Sequence, residues 1–314
     1  MATSINANPV WKVSAQDVTR DLDLTHTEVV SLLELTRMVK KTPARYAKAL
    51  TGKYLSLLFE KPSLRTRLTF ELAAKQLGGD SVTSIGPIGD REPLKDIARN
   101  LDRWTQCIVA RTFKQETVDE LAKWSSVPVI NALTDMYHPC QALADVFTLQ
   151  ERFGNLKGLK ASFVGDGNNV ANSLMLSCLR LGMDFALATP KGYESKPAVI
   201  AQAKEIAADC GGTLTLTHDA YEAVANACAV YTDVWASMGQ ESEAEIRRQE
   251  FSKFQVNTEL MEAALPDAVF MHCLPAKRGE ETTDPVMESA NSVVFDQAEN
   301  RLHAQKALLL MILA

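Results

Sequence analysis

The residues with the clearest chemical potential lie where an apolar run, Tyr54 to Phe59, leads into a stretch that contains Arg65 and Arg67. We predict a strand followed by a helix, with Ser63 as the residue that caps the helix start. The N–H groups at a helix start lack intrahelical partners and attract an anion, and two guanidinium groups add full charges. The segment therefore indicates a phosphate site, although a solvated basic helix face commonly gives the same pattern.

Three further polar residues stand at the ends of predicted elements. Arg111 closes the apolar run that starts at Cys107, and open α/β sheets collect ligand-binding residues at such strand ends. His138 and Gln141 are three residues apart at the start of a predicted helix that reaches Phe153, so both point to one side. Together they can donate to a carbonyl oxygen and accept from an amide. The structural alternatives are a solvated strand end for Arg111 and a helix cap for His138.

Polar groups also follow predicted strands in the second half of the chain. Residues 165–170 read GDGNNV, and Val170 stands where a dinucleotide-binding fingerprint has its third glycine. This turn therefore suits a small polar ligand better than a dinucleotide. Asp233 ends a strand, where it can balance an ammonium group or cap a helix. Cys273 lies beside His272 at another strand end and is a candidate thiolate, although buried strand cysteines are usually inert.

Composition excludes several classes of protein. The chain has 314 residues, of which 46% are hydrophobic, enough for two domains with full cores. Its net charge of −6 argues against nucleic-acid binding, so basic clusters serve small anions. The six cysteines show no metal-ligand spacing and suit a reducing compartment. Because no signal pattern or membrane-length apolar run is present, we expect a cytoplasmic protein that contacts no membrane.

Apolar runs alternate with helical patterns, which predicts an α/β fold with parallel sheets. The predicted strands lie at 54–59, 80–84, 107–111, 127–130, 160–165, 184–189, 213–217, 229–233, 268–272 and 292–296. The sequence GNLKG at 154–158 is the clearest break, so we place a domain boundary near residue 150. The final helix, roughly 298–313, is apolar over much of its surface, and its own pattern does not say where it packs.

Taken together, these segments resemble the aspartate/ornithine carbamoyltransferase family nearly from end to end. The motifs occur in the family's order: SLRTR at 63–67, HPCQ at 138–141, DGNN at 166–169, DVWASMGQE at 233–241, HCLP at 272–275 and ENR at 299–301. Each motif is weak alone, but six in register are very specific.

The resemblance implies two domains, each a parallel β-sheet flanked by helices. Residues 1–149, joined by the returning helix 298–314, would bind carbamoyl phosphate, and residues 150–297 would bind L-ornithine. The implied reaction moves the carbamoyl group to the δ-amine of ornithine and yields L-citrulline and phosphate. No metal or organic cofactor is implied, since phosphate is already a good leaving group. The implied assembly is a homotrimer, or a multiple of trimers, with sites at the subunit interfaces.

The same resemblance assigns roles to individual residues. The carbamoyl phosphate ligands would be Ser63, Leu64, Arg65, Thr66, Arg111, His138, Gln141, Cys273, Leu274 and Arg301. Ornithine would be held by Asn169, Asp233, Ser237 and Met238. The catalytic set would be Cys273, Arg65, Arg111, His138 and Asp233. Cys273 near Asp233 would be the place where the attacking amine loses its proton.

The chain departs from the family pattern in two places. Leu64 stands where many relatives have Thr, which removes a hydroxyl but leaves the backbone N–H. The loop 81–95 is a few residues short, and Pro87 or Ile88 stands where relatives place a Gln or His that reaches the neighbouring subunit. Either Arg91 or Lys95 substitutes for that residue, or the contact is lost.

The acceptor leaves alternatives open. Relatives of this kind could use N-acetylornithine, N-succinylornithine, putrescine or aspartate, and a non-catalytic binding protein is a further alternative. The segment from Asp233 to Met238 favours free ornithine, because a free α-amino group needs an aspartate partner. A non-catalytic protein is disfavoured because the chain retains Arg65, Arg111, His138 and Cys273.

Overall fold

A computed structural model describes residues 12–61, 63–236 and 241–314. Its strands form two all-parallel sheets. The first has the order β2-β1-β3-β4, with β1 at Tyr54–Phe59, β2 at Asp80–Ile85, β3 at Cys107–Arg111 and β4 at Val129–Leu133. The second has the order β7-β6-β5-β8-β9, with β5 at Lys160–Val164, β6 at Asp184–Ala188, β7 at Leu214–Thr217, β8 at Ala229–Thr232 and β9 at Val269–His272. The predicted α/β class with two parallel sheets is confirmed.

Helices flank both sheets, as the burial of the central strands requires. The first half contains α1 (His26–Lys41), α2 (Arg65–Gln76), α3 (Leu94–Trp104), α4 (Gln115–Trp124) and α5 (Pro139–Phe153). The second half contains α6 (Asn169–Arg180), α7 (Pro197–Cys210), α8 (Ala220–Val224), α9 (Ala244–Glu250), α10 (Thr258–Glu262) and α11 (Asp284–Met287). None of the helices that the structure describes is long and apolar enough to cross a membrane.

The last helix, α12 (Val294–Leu313), returns to the first half and packs against α1, α2 and α5. Its apolar side chains join the largest core cluster, which also includes Phe147 on α5 and Leu174 on α6. This contact confirms the expected return of the final helix to the first set of helices. Because one apolar cluster runs through both halves, the two sheets are packed as neighbours.

Both sheets change strand order at the point where the predicted site residues lie. In the first sheet β1 lies between β2 and β3, and Phe59 pairs with Arg111. In the second sheet β5 lies between β6 and β8, while Thr232 of β8 pairs with His272 of β9. Open α/β sheets bind ligands beyond the carboxyl ends of strands at such switch points.

Three local predictions are wrong or shifted. Residues 292–296 are not a strand: Ser292 makes one bridge to Phe270, and α12 begins at Val294, earlier than predicted. The β-branched run suggested a strand, but packing of the apolar helix face overrides that local preference. Strand β4 runs to Leu133 rather than ending at residue 130. Ser63 is not the helix cap, because Leu64 holds that position without a side-chain hydrogen bond.

Candidate active site

Two buried arginines from distant parts of the sequence meet at one hydroxyl in the first half. Arg111, at the end of β3, donates from Nη1 to Thr66 Oγ1 at 3.4 Å, and Arg301 of α12 donates from Nη2 to the same oxygen at 2.6 Å. The two residues are only 8% and 3% exposed. The Nε atoms of both have no partner among the described residues. Buried cations without a carboxylate partner require an anion, so this pocket fits phosphate.

The positive groups of this pocket repel one another. Burial, together with the charges of Arg301 and Arg65, lowers the pKa of Arg111 to about 10. Burial, followed by the same three arginines, holds the pKa of His138 well below its usual value. His138 is therefore a neutral imidazole at physiological pH. A neutral ring can donate one hydrogen bond to a carbonyl oxygen without adding to the charge.

His138 and Gln141 leave polar atoms available beside the arginines. His138 directly precedes α5, and its backbone N–H donates to Ser173 Oγ of α6 at 2.8 Å. Its Nδ1 and the Oε1 of Gln141 are buried and without a partner among the described residues. The Nε2 of Gln141 donates to Asp145 at 2.8 Å. A donor ring and an amide oxygen are what a carbamoyl group needs for its C=O and its NH₂.

The second half contributes an aspartate and a thiol from neighbouring strands. Because Thr232 pairs with His272, the residues that follow them, Asp233 and Cys273, lie side by side. Cys273 Sγ donates to Asp233 Oδ1 at 3.1 Å. Burial and then Asp233 raise the pKa of this thiol well above its usual value. In the ligand-free site Cys273 is therefore a thiol and a hydrogen-bond donor, not the thiolate suggested by the sequence.

The two halves face each other across one site. Burial lowers the pKa of Arg65, while the nearby Cys273 and Asp233 side chains act in the opposite direction. Cys273 also acts electrostatically on Arg111 and on Arg301. The first residue of α2 therefore lies within electrostatic range of the ends of β8 and β9. Arg65 also acts on Arg111 and His138, so the five predicted catalytic residues lie in one neighbourhood.

Of two adjacent asparagines, it is Asn168, and not the predicted Asn169, that hydrogen-bonds to Asp233. Asn168 caps α6 through its Oδ1, and its Nδ2 donates to Asp233 Oδ2 at 3.0 Å. Asn169 instead donates from Nδ2 to the carbonyl of Thr134 at 2.5 Å, which ties this turn to the first half. Asn168 thus orients the aspartate in this structure. The two adjacent asparagines in the sequence indicate a polar site, but the sequence does not distinguish which of them faces Asp233.

A buried pair supports the turn that carries Cys273 and Leu274. His272 Nδ1 accepts from the Leu274 N–H at 2.8 Å, and His272 Nε2 lies 3.1 Å from Glu281 Oε1. Leu274 has a φ of +58°, in the left-handed region. Both ring nitrogens of His272 are therefore in use. Although donor atoms of Asp233, His272 and Cys273 lie within 4.8 Å of one another, only two of them remain for a metal ion.

The remaining predicted residues have mixed outcomes. Ser63 and Leu64 directly precede α2, and Leu64 is 66% exposed. The Nε of Arg67 lies 3.9 Å from Glu71 Oε1 on the same helix. Ser237 and Met238 lie outside the described residues. A groove of about 490 Å³ beside α8 and α10 contains none of the predicted site residues.

The fold and the site define a two-sheet α/β protein with buried arginines in one half and a buried aspartate beside a thiol in the other. Residues 16–151 match the carbamoyl-P binding domain of aspartate/ornithine carbamoyltransferases, and residues 157–312 match their Asp/Orn binding domain. The chain therefore belongs to the aspartate/ornithine carbamoyltransferase family.

Individual relatives are similar over nearly their whole length. The ornithine carbamoyltransferase of Thermococcus kodakarensis is 50% identical over 309 residues, covering 97% of this chain and 98% of the relative. A solved structure of the Pyrococcus furiosus enzyme of that name gives a TM-score of 0.93 at 49% identity, covering 96% and 98% of the two chains. An N-acetyl-L-ornithine transcarbamylase structure also matches, with a TM-score of 0.86, 34% identity and coverage of 95% and 99%. The backbone alone therefore does not select the acceptor.

Proposed function

We propose that this protein transfers the carbamoyl group of carbamoyl phosphate to the δ-amine of L-ornithine, giving L-citrulline and phosphate. The observation that carries the proposal is the cluster of Arg65, Arg111, Arg301 and neutral His138 facing Asp233 and Cys273. Identity near 50% to relatives named ornithine carbamoyltransferase supports this acceptor. We further propose a cytoplasmic role in arginine biosynthesis, since one such relative, from Pyrococcus furiosus, is named anabolic.

Carbamoyl phosphate would bind with its phosphate in the arginine pocket. The free N–H groups at the start of α2, from Ser63 to Thr66, together with Arg65 and Arg111, suit the phosphate oxygens. His138 and Arg301 would contact the carbamoyl oxygen. Gln141 Oε1 and the backbone of Cys273 and Leu274 would accept from its NH₂ group.

Ornithine would bind against the ends of β8 and β9. Asp233 is 7% exposed and offers a buried carboxylate for the α-ammonium group. Asn169, Ser237 and Met238 would complete the contacts to the α-amino and carboxylate ends. The neutral δ-amine then attacks the carbamoyl carbon, and Arg65, Arg111 and His138 stabilise the negative charge on the tetrahedral oxygen and the departing phosphate.

Several acceptor amines are compatible with this backbone, so the acceptor needs a direct test. Phosphate release from carbamoyl phosphate, with mass identification of the carbamoylated amine, should be measured at steady state with ornithine, N-acetylornithine, N-succinylornithine, putrescine and aspartate. We expect ornithine to have the highest kcat/KM. If no citrulline forms from ornithine, the proposed function is wrong, and binding of carbamoyl phosphate without turnover of any amine would indicate a non-catalytic protein.

Cys273 should influence the proton transfer from the amine. Replacing it with Ala is expected to lower kcat about 100-fold, a size typical of lost acid–base assistance. Replacing it with Ser keeps a donor to Asp233 and should cost about tenfold. Cys210→Ala, at a half-buried cysteine of α7, is the matched control. Steady-state rates within twofold of the unmodified protein for Cys273→Ala would contradict this role.

We propose a homotrimer, or a multiple of trimers, on the basis of an apolar face in the first half. Leu64, Leu68 and Leu72 recur every four residues along α2 and are exposed, and Val82 and Ile85 are exposed on the adjacent edge strand β2. A contiguous apolar face of this kind marks an interaction surface, since monomers rarely leave one uncovered. A second copy of the chain is the occupant that the family relationship supports.

Charges placed on this face should disrupt the assembly. We expect the double variant Leu68→Glu, Leu72→Glu to elute at the mass of one chain, where the unmodified protein elutes at three chain masses or a multiple. Light scattering coupled to size exclusion measures this directly. Leu216→Glu, at an exposed site of β7, is the control that leaves the mass unchanged. A double variant that keeps the unmodified mass would show that another surface forms the assembly.

The exposure of the residues between β2 and the start of α3 indicates which of them can reach a neighbouring subunit. Ile88 packs against the core cluster of its own first half, while Pro87, Arg91 and Lys95 are exposed. We propose that Arg91 or Lys95 makes this contact, because a cation suits a phosphate in the next subunit.

We also propose that the boundary between the two domains lies near residue 150.

A further inference from the structure

The buried carboxylate of Asp145 lies behind the proposed carbamoyl pocket and has no direct place in the reaction. Asp145 is fully buried on α5, one turn beyond Gln141. Its Oδ1 accepts from Gln141 Nε2 at 2.8 Å and from Gln297 Nε2 at 2.7 Å. Burial raises the pKa of Asp145 to about 7, and these two hydrogen bonds act against that rise because they favour the carboxylate.

Oδ1 of Asp145 accepts from both glutamines, so it sets the orientation of the Gln141 side-chain amide and supports that of Gln297. The NH₂ group of Gln141 must face Asp145, and this leaves Oε1 buried and without a partner among the described residues. The NH₂ group of Gln297 also faces Asp145. Its Nε2 donates to Tyr231 Oη at 2.9 Å as well, and its Oε1 accepts from the His272 N–H at 3.0 Å. Gln297 is therefore oriented by three groups, whereas Asp145 is the partner that orients Gln141 among the described residues.

We propose that Asp145 is a positioning residue that turns Gln141 Oε1 toward the ligand and so makes the site select an acyl NH₂ group over a group of equal size without N–H. The inference rests on the proposed function, which places a carbamoyl group beside Gln141. Through Gln297 the same carboxylate also supports the backbone of His272, which directly precedes Cys273. One buried charge thereby aligns the carbamoyl pocket with the end of β9.

The test compares two stable phosphonates that differ in one group. Phosphonoacetamide carries a C(=O)NH₂ group, and acetonylphosphonate has a methyl group in place of the NH₂. Calorimetric titration should show that the unmodified protein prefers the amide. In Asp145→Leu the ratio of the two dissociation constants should fall about tenfold, since Gln141 loses the acceptor that orients it. In Asp145→Asn the ratio should fall about threefold, because a neutral amide is a weaker acceptor and can also present its NH₂.

Affinity for inorganic phosphate separates positioning from general damage. It should stay within twofold in both variants, whereas a merely structural defect would weaken all three ligands alike. If Asp145→Leu does not fold, Asp145→Asn decides alone, and an unchanged amide-to-methyl ratio overturns the proposal. Asp209→Asn, at an exposed site of α7, is the control. Failure of the unmodified protein to make citrulline would instead count against the proposed function.

Discussion

Replacing Arg111 with Met is expected to lower kcat/KM for carbamoyl phosphate about 100- to 1,000-fold, the cost typical of removing one preorganised donor at a developing charge. The same change should make the ligand-free protein more stable. Arg111 is buried beside Arg301 and Arg65, and its pKa is lowered to about 10. A cation whose pKa falls on folding costs stability at every pH below that lowered value. Removing it should therefore stabilise the ligand-free protein by roughly 1–3 kcal/mol near pH 7.

Thermal unfolding with and without inorganic phosphate checks both parts of this prediction. Phosphate should raise the Tm of the unmodified protein, because it supplies the anion that the pocket lacks, and it should raise that of the variant much less. Arg37→Met is a suitable control, since Arg37 lies exposed on α1 with only a 3.9 Å contact to Glu34. A variant that is less stable and keeps the full phosphate effect would place the anion elsewhere.

Replacing Asp233 with Asn should lower kcat/KM for ornithine at least about 100-fold, because loss of one member of a buried charge pair costs roughly 2–5 kcal/mol. The shape of the side chain is kept, so the dissociation constant of carbamoyl phosphate should change less than threefold. Steady-state kinetics with ornithine as the varied substrate measures the first effect. Titration with carbamoyl phosphate measures the second.

The chemistry of Cys273 gives an independent readout of the same substitution. Asp233 contributes to the raised pKa of this thiol, both through its charge and through the hydrogen bond at 3.1 Å. In Asp233→Asn the thiol should therefore ionise more readily, and iodoacetamide should label Cys273 faster at pH 8, as measured by peptide mass spectrometry. Asp209→Asn should change neither labelling nor kinetics. An unaltered ornithine KM in Asp233→Asn would remove Asp233 from the acceptor site.

Much of the fold could be predicted because its signals are local. Apolar runs bounded by polar residues located the strands that form both parallel sheets, and Arg111 was placed correctly at the end of β3. The errors also arose locally. The β-branched residues after Ser292 suggest a strand, but the packing of α12 makes them part of a helix. Ser63 is a residue type that often caps a helix, but the chain enters α2 one residue later, at Leu64.

The contacts among the supporting groups could not be predicted, since the partners are far apart in the chain. Gln297 reaches Asp145 across 152 residues, and Arg301 reaches Thr66 across 235. Asn168 and Asn169 are adjacent residues of the same type, yet it is Asn168 that hydrogen-bonds to Asp233. No periodicity encodes such pairings, because they depend on how complete helices pack.

The sequence by itself determined which residue types are present for the chemistry and at which strand and helix ends they stand, because those positions follow from neighbouring residues. Only the tertiary structure decided their protonation states. Arg65, Arg111 and Arg301 lie near His138, whose lowered pKa keeps it neutral, and Cys273 beside Asp233 has a raised pKa and stays a thiol. Burial and charge repulsion set these properties, and both depend on the distances that the packing of the two sheets and α12 creates.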